Sequence, residues 1–202
     1  MSRPDKEPEI AILILAAGAA TRMGSVKQLL PFGENSLLGS VITQAQASQI
    51  GPVYCVLGAH VDLIGPTIQT SDVQIIFNPE WQQGLGASIR AGVQGALKEH
   101  PDSGGILILL GDQVLIQAEH IQKIQTLFHE NPGKIIASKY GNGYGVPVFF
   151  PPAFFGELLN LKGDQGAKQL LKAQHKHIIP FLGSDLLVDI DTPEDYAHLI
   201  GR

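Results

Sequence analysis

Only one cysteine, Cys55, occurs among 202 residues, so no internal disulfide can form. It stands in the apolar run Val53-Tyr54-Cys55-Val56-Leu57, where a thiol reads as a small buried hydrophobe and nothing points to secretion. Positive charge is also in short supply. Fourteen Lys+Arg against nineteen Asp+Glu give a net charge of −5, which argues against a protein that binds by releasing counterions from nucleic acid. Long apolar stretches are missing as well: Ile10 to Ala17 falls well short of the ~20 residues needed to cross a bilayer. The polar segment Met1 to Glu9 has no apolar signal-peptide core. The expectation is a cytoplasmic protein without membrane or nucleic-acid partner. The seven histidines show no zinc spacing, His175-Lys176-His177 reading as a solvated basic loop. No Gly-x-Ser-x-Gly elbow is present and Cys55 lies mid-strand, so a Ser or Cys nucleophile has no support.

The chain does have 44% hydrophobic and 16% charged residues, with no repeat, linker or low-complexity tract. That composition predicts one domain over 1–202, burying roughly 70% of its unfolded surface. Short apolar runs recur at Glu9–Leu15, Val53–Gly58, Val73–Phe77, Gly105–Leu110 and Lys134–Ser138. Helical patterns fall between them at Leu37–Gln49, Ala87–Glu99 and Gln117–Glu130. Continuous runs spaced by helices predict an α/β fold with a mostly parallel, Rossmann-like central sheet flanked by helices. The turn chemistry of Gly141 to Gly145 and the proline in Val146-Pro147-Val148-Phe149-Phe150 predict a small β insertion at an edge or bulge. Helices are expected at Pro152–Leu161 and Gly166–Gln174, strands at His177–Leu182 and Leu186–Ile190. A final helix starts at Thr192-Pro193-Glu194-Asp195, with a hydroxyl cap, proline at the first position and acids in the first turn.

The chemistry concentrates at three places. After the first strand, the small residues of Leu15-Ala16-Ala17-Gly18-Ala19-Ala20 let a ligand approach the backbone, and Arg22 and Lys27 add a guanidinium fork and a compact ammonium. This combination suits a polyphosphate; a tight βα turn with two solvated cations is the plain alternative. Neither the Gly-Lys-Ser/Thr ending of a P-loop nor a full Gly-x-Gly-x-x-Gly is present, since Gly84-Leu85-Gly86-Ala87-Ser88-Ile89 has Ile89 at the third glycine. The second place is Gly111-Asp112, just after a buried strand, where a carboxylate can hold Mg²⁺ against phosphate. The third is Asp189-Ile190-Asp191, whose alternation puts both acids on one face. Asp191 then reads as a second metal ligand or as a helix-entry acid. Trp81 sits in a turn and reads as cover for a helix end.

Taken in order along the chain, Leu15–Pro31, Gly84–Gly92, Gly111-Asp112 and Asp189–Asp195 resemble the molybdenum-cofactor cytidylyltransferases, within the glycosyltransferase-A-like, nucleotide-diphospho-sugar transferase type of fold. The resemblance spans nearly the whole chain. It implies nucleotide contacts for Leu15, Ala16, Ala17, Gly18, Arg22, Lys27, Gly84, Ser88 and Gly111, and metal binding by Asp112 and Asp191 with Mg²⁺ as cofactor. It implies acceptor contacts for Pro147 and for Asp164, which lies in a Gly163-Asp164-Gln165-Gly166-Ala167-Lys168 stretch close to the family's Gly-Asp-x-Gly-Ala-Arg. Two departures stand out: Val114 replaces a frequent proline, and Val146 replaces the histidine of a frequent Gly-His-Pro.

The implied reaction transfers CMP from CTP to a phosphorylated acceptor such as molybdopterin, releasing pyrophosphate, with Lys27, Arg22 and Asp112 as the catalytic residues. The implied recipient of the product is a molybdoenzyme or its chaperone. Three rivals remain on the same residues: a sugar- or alditol-phosphate acceptor, a nicotinamide-dependent oxidoreductase, and a non-catalytic nucleotide or cofactor carrier.

Overall fold

The structure is a computed structural model that describes residues 9–69, 72–141, 143–163, 166–183 and 187–201. The apolar runs become strands β1 (Ile10–Ala16), β4 (Val53–Leu57), β5 (Val73–Phe77), β6 (Gly105–Leu110) and β7 (Ile135–Tyr140). Two short strands, β2 (Pro31–Phe32) and β3 (Asn35–Ser36), make a separate hairpin, and β8 (Gly143–Phe150) and β9 (Ile178–Phe181) complete the main sheet. Its order is β5-β4-β1-β6-β8-β7-β9. All pairings are parallel except those of β8, which runs against both β6 and β7.

The proline-bearing segment lies inside the sheet, so of the two expected positions, edge or bulge, the bulge is the one found. The bulge is present: β7 and β8 change register between Ala137 and Ser138, opposite Val146-Pro147. A bulge leaves a residue outside the ladder, which is how an interior strand accommodates a residue that cannot donate. The strand expected at Leu186–Ile190 is corrected, since 187–190 are irregular and Leu186 lies outside the described residues.

Helices α1 (Leu37–Ala47), α2 (Val61–Ile68), α3 (Leu85–Glu99), α4 (Ala118–Glu130), α5 (Phe155–Leu159), α6 (Gly166–Ala173) and α7 (Pro193–Ile200) cover the sheet. Alternation divides β1 cleanly. Ile10, Ile12, Ile14 and Ala16 pack with residues of α1, α2, α4 and α7, whereas Ala11, Leu13 and Leu15 pack with residues of α3, α5 and α6. Caps set two helix starts: Ser36 Oγ accepts the Gly39 N–H at 3.0 Å, and Thr192 and Asp195 form a reciprocal capping box. No helix among the described residues is long and apolar enough to cross a membrane.

β1 has β4 on one side and β6 on the other, so the chain's winding reverses between β1 and β6. In an α/β sheet the crevice beyond the carboxyl ends at such a reversal is where ligands bind. Leu15 pairs with Leu110 there, at the last rung of the β1–β6 ladder. Gly111 keeps the chain close to β1, its N–H donating to Leu15 O at 3.0 Å. A Cβ on it would stand 3.1 Å from Ala16 Cβ and 3.0 Å from Leu38 Cδ1.

Candidate active site

The loop after β1 is held by its carbonyls. Gln28 Nε2 donates to Ala16 O at 3.2 Å and Gly18 O at 3.1 Å, Ala59 N–H donates to Ala17 O at 3.0 Å, and His60 Nε2 donates to Ala19 O at 3.1 Å. Four successive carbonyls, from Ala16 to Ala19, are thus engaged by the protein body, which fixes the course of the loop. Ala20 adopts a left-handed conformation (φ 52°) before the short turn Thr21–Met23, and Gly24 (φ 64°) ends it. A left-handed alanine costs roughly 1–2 kcal/mol, strain of the kind found at ligand loops.

Four charged side chains from distant parts of the sequence meet over this loop. Lys27 Nζ lies 2.5 Å from Asp112 Oδ2 and 2.9 Å from Asp191 Oδ1, and also donates to Ile190 O at 2.9 Å. Arg22 Nη2 lies 2.7 Å from Asp191 Oδ2. Burial disfavours the Lys27 ammonium, but the charge and hydrogen bond of Asp112, and then those of Asp191, outweigh it, so its pKa lies above the ordinary 10.5. Burial lifts the Asp112 pKa above 3.8 against the pull of Lys27, with the Asp189 and Asp191 carboxylates adding to the rise. The hydrogen bond from Lys27 leads in holding Asp191 below 3.8, with the Lys27 and Arg22 charges assisting.

Two carboxylate oxygens thus converge on one cationic nitrogen, which marks a point where a cation is stabilised. Among the described residues no group of three or more His, Cys, Asp or Glu is arranged to hold a metal. The donor set of Asp112 and Asp191 is the kind Mg²⁺ uses when phosphate oxygens and water complete its shell.

Two adjoining cavities open at this edge. The first, about 290 Å³, is lined by Ala16, Gly18, Arg22, Lys27, Gly111, Asp112 and Asp191, among others. The second, about 500 Å³, is lined by Tyr140, Tyr144, Val146, Lys168 and Asp189 together with apolar side chains. Leu15, Leu85 and Leu110 line both.

The other residues singled out in the sequence fall elsewhere. Ala17 is buried beneath the loop, with its carbonyl engaged by Ala59. Gly84 precedes α3 at φ 96°, and the buried Ser88 hydroxyl accepts a hydrogen bond from Asn78 Nδ2 at 3.0 Å. Neither lines the two cavities described above. Pro147 lies behind Val146 in β8, where its carbonyl accepts the Ser138 hydroxyl at 2.9 Å. Asp164 lies outside the described residues. Trp81 lies against Gly58, where a Cβ would stand 2.5 Å from Trp81 Cβ. Gln28, His60, Gln113 and Tyr140 were not singled out. The available signal was a polar side chain inside an apolar context, as with Gln28 before Leu29-Leu30 and Gln113 before Val114-Leu115.

A mostly parallel α/β sheet with a cation-bearing loop and opposed carboxylates at its point of reversal defines an α/β protein whose ligand crevice lies at that sheet end. The chain belongs to the MobA-like NTP transferase domain family, whose model matches residues 12–178, and it is a nucleotidyltransferase. It is 31% identical over 203 residues to the purine catabolism protein PucB of Bacillus subtilis (strain 168), covering 95% of this chain and 96% of PucB. It is 27% identical to the molybdenum cofactor cytidylyltransferase of Escherichia coli (strain K12), covering 93% of each. Among solved structures, Rv0371c of Mycobacterium tuberculosis H37Rv superposes with TM-score 0.79 at 28% identity, covering 96% of this chain and 99% of that one. Its complex with manganese superposes with TM-score 0.76 at 25% identity, covering 96% and 98%.

Proposed function

We propose that this nucleotidyltransferase moves CMP from CTP to the phosphate of a molybdenum-pterin acceptor and releases pyrophosphate. The observation that carries the reading is the Lys27 ammonium between Asp112 and Asp191, in the wall of the smaller of two adjoining cavities. The smaller cavity is lined by the small residues of the loop and by Arg22 and Lys27, a setting that suits a triphosphate. The larger offers two tyrosines, an apolar floor and Lys168, a setting for a flat heterocycle that bears a phosphate. The likeness to the Escherichia coli cytidylyltransferase supports the same acceptor.

In this reading an acceptor phosphate oxygen forms a bond to the α-phosphorus of CTP, the bond from that phosphorus to the bridging oxygen of the β-phosphate breaks, and pyrophosphate leaves in line. The nucleophile is already ionised, so the protein positions it and stabilises charge. Gly18 and its neighbours hold the triphosphate through their amides. Arg22 grips the β- and γ-phosphates, and Lys27 leaves its carboxylate partners to offset charge near the α-phosphate and leaving group. Asp112 and Asp191 would hold Mg²⁺. The ion would supply Lewis-acid stabilisation of the phosphoryl oxygens.

The test is pyrophosphate release with CTP, GTP and ATP against a pterin phosphate, a sugar phosphate and an alditol phosphate, with absorbance at the reduced-nicotinamide band followed in parallel. CTP with the pterin phosphate is expected to turn over fastest. Turnover confined to another acceptor, or nicotinamide oxidation without pyrophosphate, would replace this reading.

A further inference from the structure

Asp189 and Asp191 are two residues apart, yet they serve different cavities. Asp191 faces the smaller one and is bound by Lys27 and Arg22. Asp189 lines the larger one, and its Oδ1 accepts the Gln113 Nε2 at 2.8 Å. The same Nε2 lies 2.9 Å from the Tyr140 hydroxyl, which itself donates to the Val146 carbonyl. Gln113 is only 1% exposed and lines neither cavity. One buried carboxamide past the end of β6 therefore ties the segment before α7 to the end of β7 and the bulge of β8. Both side chains it holds face the larger cavity.

This arrangement fixes a carboxylate where no Lys or Arg pairs with it among the described residues. A carboxylate is an acceptor-only group, and each oxygen has two lone pairs, so the Gln113 bond leaves both oxygens able to accept. Around it stand Tyr140, Tyr144 and apolar side chains, which favour a flat ring over a polyhydroxylated one. We propose that Asp189, positioned by Gln113 and Tyr140, reads the acceptor by accepting the adjacent N–H and amino donors of a 2-amino-4-oxo-pyrimidine edge. Pterins and guanine share that edge. The inference rests on the acceptor reading above and adds the specificity-determining residue, with Lys168 of the same cavity available to the acceptor's phosphate.

The test measures binding to the whole chain by titration calorimetry. The probes are 6-hydroxymethylpterin, its lumazine counterpart with a carbonyl in place of the 2-amino group, guanosine and xanthosine. Mg²⁺–CTP is titrated separately. Wild type is expected to prefer each amino compound over its oxo counterpart by about tenfold to a hundredfold, the range for a hydrogen bond to a charged group. The tighter of pterin and guanosine identifies the source of the edge. Asp189→Asn keeps an acceptor for Gln113 and is expected to erase the preference while Mg²⁺–CTP affinity stays the same. Gln113→Leu and Tyr140→Phe are expected to reduce it. Asp191→Asn is expected to keep it while weakening Mg²⁺–CTP binding. Equal affinity for amino and oxo compounds in wild type, a preference that survives in Asp189→Asn, or no binding by any of the four at millimolar concentration overturns the inference. Failure of Mg²⁺–CTP to bind while the preference persists overturns the nucleotide reading and leaves this one standing.

Discussion

The proposed reaction asks two incompatible things of Lys27 at once: to neutralise Asp112 and Asp191, as it does in the structure, and to stabilise charge on a phosphate. The reach of Lys27 resolves the conflict, because a flexible ammonium can leave the carboxylates when a divalent ion takes its place. Lys27→Ala is therefore expected to lower turnover by roughly 10²–10³, the loss seen when one transition-state donor is removed. It also leaves two carboxylates facing each other, so Mg²⁺ should raise the melting temperature of Lys27→Ala more than that of wild type, read by thermal denaturation across a Mg²⁺ series. The neighbouring carboxylates differ in their acid response. Asp191 has its folded pKa below 3.8, so its contribution to stability is full above that value and is lost as pH falls through the folded value. Asp112 shifts upward, so protonation favours its folded form. Asp191→Asn is expected to lower the urea midpoint near neutral pH and to flatten its fall below about pH 4, where wild type loses the pair. The meeting of the cations with Asp112 was legible in the sequence, since a loop after one buried strand and a residue just past another fall at the same sheet end when the strands are neighbours. The separation of Asp189 from Asp191 was not. Period-two alternation assumes a strand, and the irregular backbone of 187–190 sends the two side chains to different cavities.

At the scale of elements, the start of α7 bears directly on the site. Asp195 Oδ2 accepts the N–H groups of Asp191 and Thr192 at 3.1 and 2.8 Å, and Thr192 Oγ1 accepts the Asp195 N–H at 3.2 Å. The cap thus holds the backbone of the residue whose carboxylate meets Lys27. Thr192→Ala is expected to cost about 1 kcal/mol in denaturant unfolding. It should also weaken Mg²⁺–CTP binding, because Asp191 loses its fixed approach. This cap was legible because Thr-Pro-Glu-Asp is a local signal. The buried strands were legible for a similar reason: runs such as Ile106 to Leu109 cannot face water on either side. α2 has no clear helical signature in the sequence because Gly65 and Pro66 interrupt its pattern, and it exists by docking Ile64 and Ile68 on the sheet. The interior place of β8 depends on pairings with β6 and β7 that no local pattern encodes, so its proline pointed to an edge as readily as to a bulge.

For the whole molecule, the sheet separates two cores, and its middle strands belong to both. β4 shows this best: Cys55 faces the core under α1 and α2, while Tyr54 and Val56 face the one under α3. Cys55 is fully buried, and burial pushes its thiol pKa up to about 12. A thiol reagent needs both access and thiolate, and the native state offers neither. No local fraying exposes the middle of a strand hydrogen-bonded on both sides by β1 and β5. Labelling of Cys55 is therefore expected to require opening of the whole sheet, with a rate that tracks the global unfolding equilibrium when closing outpaces the reagent. A ligand that binds only the folded chain should then slow labelling by the factor 1 + [L]/Kd. Mg²⁺–CTP is expected to slow it by that factor, with Kd taken from calorimetry, and the slowing should vanish in Asp112→Asn if Asp112 holds the ion. Labelling at the rate of a free thiol would show that Cys55 is reached without opening of the sheet, and slowing by CTP that ignores Mg²⁺ and Asp112 would separate the nucleotide from the sheet end where β1 and β6 meet.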